Sequence, residues 1–256
     1  MLSKTILLAL AAAPFAAAHG KVAAVVGDAG GNGTALAIQG GVVPGPGPNR
    51  KTELDTTVFK SKNIMTDGLG KTTGSGKVQA ADIQQVMALS GDTLPQVSPV
   101  NGSISGTFHV VTTDGAGPIN AVLDPTGTGA FSQGVMLQVM QQVPGNRGNI
   151  RPNGKVPGGK RSLWERALSV IVKRASNVNM DFPMAFAVPD GTTCSGSMGG
   201  QKNVCLVKIA NSNGAGPFGG VVPIQIAPAA GAAPATPATP ATPAAPGAKR
   251  SVEFQA

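Results

Sequence analysis

Short segments in which apolar and polar residues alternate recur along this chain, and most are bounded by glycine or proline. This period of two is typical of β-strands with one buried face. The alternation predicts strands at residues 20–27, 103–113, 119–124, 134–143, 179–188, 204–210 and 219–226. Residues 28–33 and 40–49 are rich in Gly, Asn and Pro, so they are predicted to be turn and loop.

The segment 103–113 shows the alternation most clearly. One face carries Ile104, Phe108 and Val110, and the other carries His109. Because successive side chains of a strand point to opposite sides, we expect His109 to point away from the core, toward a polar face or a rim.

Helical spacing is confined to two segments. Residues 81–89 form the first, and residues 162–174 form an amphipathic second, in which Ser162 and Glu165 have the spacing of a capping box. We therefore predict a helical insert at about residues 160–175. The basic pairs at 160–161 and 173–174 are either processing sites or a solvated loop and helix end.

Composition supports an all-β fold, since 36 glycines and 21 prolines in 256 residues favour strands joined by turns over long helices. Residues 19–226 are predicted to form one domain. From residue 227 onward the chain repeats Pro, Ala and Thr, and residues 227–256 are predicted to be a disordered tail because they have little to bury.

The first eighteen residues have the pattern of a signal peptide, with Lys4, an apolar stretch at 6–13, and Ala16 and Ala18 before the cut. Cleavage after Ala18 would make His19 the first residue of a protein secreted to the extracellular space or cell wall. Because no second apolar stretch is long enough to cross a bilayer, we expect no membrane span.

Net charge does not indicate a nucleic-acid partner. The chain carries +8 at pH 7, or about +7 once Lys4 is removed. Aromatic residues make up 4% of the chain and Tyr is absent, so no basic run is interleaved with stacking groups. The basic residues are mostly scattered, and we expect a soluble monomer.

Two cysteines in a secreted chain predict a disulfide, here between Cys194 and Cys205 across a hairpin connection. Their spacing does not match zinc or redox motifs. The triplets that begin at Asn32 and Asn101 are predicted N-glycosylation sites, although such triplets also arise by chance.

The two histidines, His19 and His109, are the candidate metal ligands. A first-residue His19 would offer its α-amine and its ring, and His109 would add a third nitrogen. Three nitrogens in a near-planar arrangement suit one Cu(II) ion, whereas zinc usually requires a tetrahedral fourth ligand. The alternative is that neither histidine has a metal role.

Other chemistry is weakly indicated. Asp28, Asp114, Asp124 and Asp190 all lie in turn contexts, where Asp commonly binds the local backbone. No spacing indicates the paired carboxylates of a glycosidase. No nucleophile elbow surrounds a serine, and the Gly-rich stretches lack the context of a phosphate loop.

Several motifs together resemble the fungal appressorium-specific and powdery-mildew (Egh-type) secreted virulence-factor family. They are residues 18–20, 27–31, 109–118, 143–146, 194–196, 204–208 and 215–220, and the last is the most specific. The resemblance covers residues 19 to about 225. It implies a secreted fungal protein associated with infection structures or with the fungal wall.

The same resemblance implies a chemistry. Members look similar to lytic polysaccharide monooxygenases, with an immunoglobulin-like β-sandwich and a copper-binding histidine brace acting on chitin or another cell-wall polysaccharide. The catalytic and metal residues would then be His19 and His109. The axial position would fall to Phe182, Phe186 or Phe218, because this chain has no Tyr.

The chain also departs from the family pattern. It lacks cysteines near Ala121 and Ile209, and the segment after His109 and the helical insert differ. These departures keep a second interpretation open, in which the protein is a non-catalytic cell-wall-binding or adhesive effector of appressoria.

Overall fold

The computed structural model describes residues 19–39, 53–74, 76–157, 176–214 and 216–228. These residues form strands, one short α-helix and two 3₁₀ turns at Ala80–Asp82 and Phe131–Gln133. The strands are β1 (Gly20–Gly27), β2 (Gly30–Gly33), β3 (Thr57–Val58), β4 (Lys71–Thr72), β5 (Gly76–Lys77), β6 (Gln96–Val97), β7 (Ser103–Thr112), β8 (Ile119–Asp124), β9 (Val135–Met136), β10 (Gln138–Gln141), β11 (Asn177–Ala187), β12 (Gly196–Met198), β13 (Gln201–Asn211) and β14 (Phe218–Ile226). The helix α1 is Ile83–Leu89.

Two sheets make up the fold. The first has the order β10-β11-β7-β1-β2, and the second has the order β5-β4-β3-β14-β13-β8-β9, with β12 paired to β13. All these pairs are antiparallel, and β6 adds to β14 in parallel. The predicted all-β class with two packed sheets is confirmed.

The main core lies between the two sheets. Phe108 and Phe186 of the first sheet belong to the same buried cluster as Val207 and Val222 of the second. Alternation accounts for this core, because the residues of β7 predicted to face inward are at most 1% exposed. His109 is on the opposite side of β7, as the pattern predicted.

A second core packs on the outer face of the second sheet. Phe59, Ile83 and Phe131 cover Leu206 of β13 and Val221 of β14. Helix α1 contributes its buried residues to this cluster. Its seven residues are too few to cross a bilayer, and no helix in the described ranges is long and apolar enough to do so.

Lys208 is buried at this second core with only 1% of its surface exposed. Its ammonium lies 4.0 Å from the centroid of the Phe59 ring and 5.4 Å from that of Phe131, and it donates a hydrogen bond to the Thr66 carbonyl. Burial lowers the pKa of Lys208 to about 8, although the charge of Asp67 opposes the shift. The folded state therefore disfavours the charged form.

We expect this buried lysine to make stability rise with pH. Between about pH 8 and the ordinary lysine value of about 10.4, the unfolded chain binds a proton at Lys208 that the folded chain has lost, so the free energy of unfolding increases. The free energy of unfolding relative to Lys208→Met should increase by about 2 kcal/mol between pH 7.5 and 9.5. Urea unfolding of both proteins at the two pH values measures this difference in the free energy of unfolding. A difference that stays constant with pH would contradict the prediction.

Most predicted strands agree with the structure within a few residues, but the single strand predicted at 134–143 is two strands, β9 and β10, which lie in different sheets. Strands β1 and β8 have the predicted bounds, and α1 with its preceding 3₁₀ turn covers the first predicted helix. The segment 28–33 is different, because Gly30–Gly33 forms β2 instead of remaining turn. Gly30 and Gly31 adopt positive φ angles, 99° and 70°, which allow the chain to reverse and pair with β1.

Several predictions fall outside the described residues. They are the signal peptide at 1–18, the loop at 40–49, most of the helical insert at about 160–175, and nearly all of the tail at 227–256.

The predicted disulfide between Cys194 and Cys205 is present, with Cα atoms 4.9 Å apart. It joins the segment that leads into β12 to the middle of β13, so it braces the β12–β13 hairpin. Cys205 is fully buried in the main core.

Removing this disulfide is expected to lower the free energy of unfolding by about 3 kcal/mol, because closing a loop of this size restricts the unfolded chain by about that amount. Urea unfolding of the Cys194→Ala/Cys205→Ala double variant measures the loss. The wild-type protein unfolded under reducing conditions is the control and should lose a similar amount. A loss below about 1 kcal/mol would contradict the estimate.

Candidate functional site

The two histidines lie on neighbouring strands of the first sheet. Lys21 in β1 pairs directly with His109 in β7. The carbonyl oxygen of His19 accepts hydrogen bonds from the backbone N–H groups of Val111 and Thr112, at 3.0 and 3.2 Å. His19 and His109 are thus offset by two residues in the register of one antiparallel pair. The Cα atoms of such diagonal neighbours lie about 7–8 Å apart.

His109 lies on the side of the first sheet that faces away from the main core, whereas His19 precedes β1, is only 1% exposed and stacks on Phe218 of the second sheet. A Cβ built on Gly20 would lie 2.8 Å from Phe108 Cε1, so Gly20 faces inward. Its neighbour in the strand, Lys21, therefore points the other way. Directly paired residues share a face, which places His109 with Lys21.

The backbone nitrogen of His19 donates a hydrogen bond to Thr112 Oγ1 at 2.8 Å. Thr112 Oγ1 in turn donates to Asp114 Oδ1, also at 2.8 Å. Burial raises the pKa of the Asp114 carboxyl, while the hydrogen bond from Thr112 and the charge of His19 act to lower it. Cleavage after Ala18 would turn this nitrogen into the α-amine, with an oxygen acceptor already beside it.

His109 is oriented by a carboxylate on the next strand. Its Nδ1 lies 2.7 Å from Asp181 Oδ1, because β7 and β11 place the two residues directly opposite each other. The His109 side chain is 16% exposed. Among the described residues, its buried Nε2 has no hydrogen-bond partner.

A buried ion-pair cluster lies beside the histidines. The Nζ of Lys21 donates to Glu53 Oε2 at 2.8 Å and to Asp55 Oδ1 at 2.9 Å. Both carboxylates are at most 1% exposed. Desolvation acts to lower the pKa of Lys21, but the hydrogen bonds and charges of Glu53 and Asp55 outweigh it and raise the pKa. Lys21 therefore stays charged and offers a metal no lone pair.

The three phenylalanines proposed for the axial position lie in different places relative to His19. The Phe218 ring stacks on the His19 ring, with centroids 6.1 Å apart and planes at 23°. Phe182 is paired with Phe108, and Phe186 is paired with Ile104 in the main core. Phe218 is the candidate that the fold brings to His19.

The remaining site predictions are placed as follows. Asn32 and Asn101 are both exposed, and their glycosylation stays a prediction. Asp124 accepts hydrogen bonds from the backbone of its own turn at residues 126–130, as expected. Within the described ranges, no group of three or more His, Cys, Asp or Glu side chains is placed to hold a metal ion. Copper would therefore depend on the two histidines and the amine.

Sequence patterns missed the groups that support the histidines. Glu53 and Asp55 lie 32 and 34 residues from Lys21, and no local pattern connects them to β1. Asp181 was inside a predicted strand, but its pairing with β7 was not predicted.

Comparison with known proteins agrees with the motifs. The family model of the Egh16-like virulence factors matches residues 17–219. The chain belongs to this family. It is 35% identical over 228 residues to the "Appressoria-specific virulence factor GAS1" of Pyricularia oryzae, covering 88% of this chain and 79% of that protein. It is 29% identical to "Appressoria-specific virulence factor GAS2" of the same fungus, covering 89% of this chain and 90% of that protein. No solved structure matches this Egh16-like chain.

Proposed function

We propose that this Egh16-like protein is secreted and binds one copper ion through His19 and His109. In this proposal it acts on chitin or another cell-wall polysaccharide in the manner of lytic polysaccharide monooxygenases. The names of the relatives support a role in appressoria. The observation that carries the copper proposal is the closeness of the two histidines where β1 pairs with β7, since His19 and His109 are offset by two residues in that register.

The chain's own residues suit three nitrogen donors. Asp181 holds Nδ1 of His109, and metal-bound histidines commonly donate their second ring N–H to such a carboxylate. Nε2 of His109 would then be the atom that binds the metal. Thr112 orients the nitrogen of residue 19. Nitrogen donors of this kind suit the tetragonal geometry of Cu(II).

Bound copper would supply the redox chemistry that activates oxygen or peroxide for hydroxylation of a glycosidic carbon. The protein's part is to hold the donors and to keep competing groups away. Lys21 is retained by Glu53 and Asp55, and Phe218 covers one side of the His19 ring.

Copper titration of protein that begins at His19 tests the metal site. Mass spectrometry verifies the first residue, and calorimetry with electron paramagnetic resonance should give one Cu(II) per chain with nitrogen ligation. Asp181→Asn should weaken affinity about 10–100-fold, the usual effect of losing an outer-shell partner. Asp92→Asn makes the same charge change in the loop after α1 and should have no effect. Absence of a Cu(II) signal at one equivalent would overturn the proposal.

Incubation of the copper-loaded protein with chitin, a reductant and oxygen tests the activity. Oxidised oligosaccharides detected by mass spectrometry support the monooxygenase. Retention on chitin with no products would overturn catalysis and favour the non-catalytic wall-binding effector. His109→Ala is the matched control and should yield no products.

A further inference from the structure

A cleft lies on the small strands of the second sheet, on segments other than those that carry the histidines. Its volume is about 380 Å³, within the usual range of ligand pockets, which is about 300–1,000 Å³. The half-buried side chains of Val58 and Leu69 give it an apolar surface that a ligand can contact, and the nearly fully buried Phe59 and Val78 also line it. Phe59 and Val78 are buried in the second core, so this part of the lining is fixed by packing.

Three lysines, Lys60, Lys71 and Lys77, also line the cleft. Lys71 of β4 and Lys77 of β5 are directly paired, an arrangement that is destabilising for like charges. In the described part of the chain, no carboxylate lies within 4 Å of these three amino groups. The fold thus keeps unpaired positive charges together at this cleft.

Asp67, the one acidic residue in the described part of the lining, is already engaged. Asp67 Oδ2 accepts a hydrogen bond from the backbone N–H of Lys60 at 2.7 Å and another from that of Ser61. Three lysines and one aspartate give the described residues of the lining a net charge of +2. A further positive charge lies behind the lining, where the buried ammonium of Lys208 is 4.0 Å from the centroid of Phe59.

An occupant must therefore combine an apolar face with at least two negative charges. A fatty acid has one carboxylate and would leave lysines without a partner. A nucleic acid would need exposed aromatic rings on which to stack, whereas Phe59 is only 2% exposed. Linked sugar rings that each carry a carboxylate meet both requirements, because their C–H faces pack on apolar side chains while their carboxylates reach the lysines.

We propose that this cleft binds an acidic oligosaccharide built of uronic acid units. Two successive units place carboxylates near Lys71 and Lys77, whose Cα atoms are about 4.5–5.5 Å apart as directly paired residues. Lys60 serves a further carboxylate or a ring hydroxyl. Binding here requires no metal, so it stands independently of the copper site.

Calorimetry of the mature chain with a linear tetramer of galacturonic acid tests the proposal. We expect binding that weakens as salt is raised, because exposed charges are screened, and no binding of a neutral galactose tetramer. Lys71→Gln/Lys77→Gln should weaken the affinity at least tenfold. The same variant should melt no lower than wild type, since it relieves a like-charge pair.

The matched control is Lys155→Gln/Lys202→Gln, which removes two exposed lysines elsewhere and gives the same net charge. It should bind the acidic tetramer as wild type does. An equal loss of affinity for the acidic tetramer in both double variants would overturn the proposed site. Binding of the neutral tetramer would also overturn it, and so would a failure to bind the acidic tetramer at millimolar concentration. Binding to vesicles that contain phosphatidylserine tests whether the lysines recognise a lipid surface instead. Capture of these vesicles by the protein, without binding of the tetramer, would also overturn the proposal and assign the lysines to a lipid surface.

Discussion

Blocking the α-amine of His19 is expected to lower Cu(II) affinity about 10³-fold or more. An outer-shell partner of a metal ligand is worth about 10–100-fold, and the amine would be a direct ligand. The variant places Gly-Ser-Gly-Pro ahead of His19. The proline matters because its nitrogen has no proton, so it cannot replace the lost amine as a metal donor.

Competition with a chelator measures the affinity, and electron paramagnetic resonance reports the nitrogen ligands. The matched control adds the same four residues after Ala256, at the other end of the chain, and should bind copper as wild type does. His109→Ala removes the third nitrogen and should also weaken binding strongly. If the N-terminally extended protein binds Cu(II) as tightly as the protein beginning at His19, the amine is not a ligand and the brace is wrong.

The sequence could predict the parts of this site that depend on residues close together in the chain, and it could not predict the parts that depend on pairing between distant strands. Alternation in residues 103–113 was enough to place His109 opposite the core residues Phe108 and Val110, because strand geometry fixes that relation. The diagonal placement of His19 required the pairing of β1 with β7. Pairing of strands distant in sequence is set by tertiary packing, which no local pattern records.

The phenylalanine that reaches His19 also depends on contacts between distant strands. All three candidates lie in predicted strands or at a strand end, and their local patterns do not distinguish them. Phe218 reaches His19 because the start of β1 packs near the start of β14 in the other sheet. The sequence does indicate that Lys208 is buried, because a lysine in the middle of the apolar run 204–210 implies a buried charge with partners.

Replacing Gly115 with alanine is expected to displace the start of β1 and to cost about 4 kcal/mol or more, the range reached by the most severe single substitutions. A Cβ at residue 115 would lie 1.8 Å from the carbonyl oxygen of His19 and 2.9 Å from the nitrogen of Gly20. Both contacts are with backbone, so no side-chain rotation relieves them. The backbone of His19 or the turn at residues 112–115 must move.

Urea unfolding measures the stability loss, and a Cu(II) titration of any folded Gly115→Ala protein measures the displacement of His19. Gly214→Ala is the matched control, because its new Cβ would meet only the flexible end of Lys62, at 3.5 Å. It should change stability by no more than about 0.5 kcal/mol. A Gly115→Ala protein within about 1 kcal/mol of wild type, with unchanged copper binding, would contradict the prediction. A large loss would assign a physical role to one glycine of the motif at 109–118, because residue 115 must lack a side chain for His19 to lie against β7.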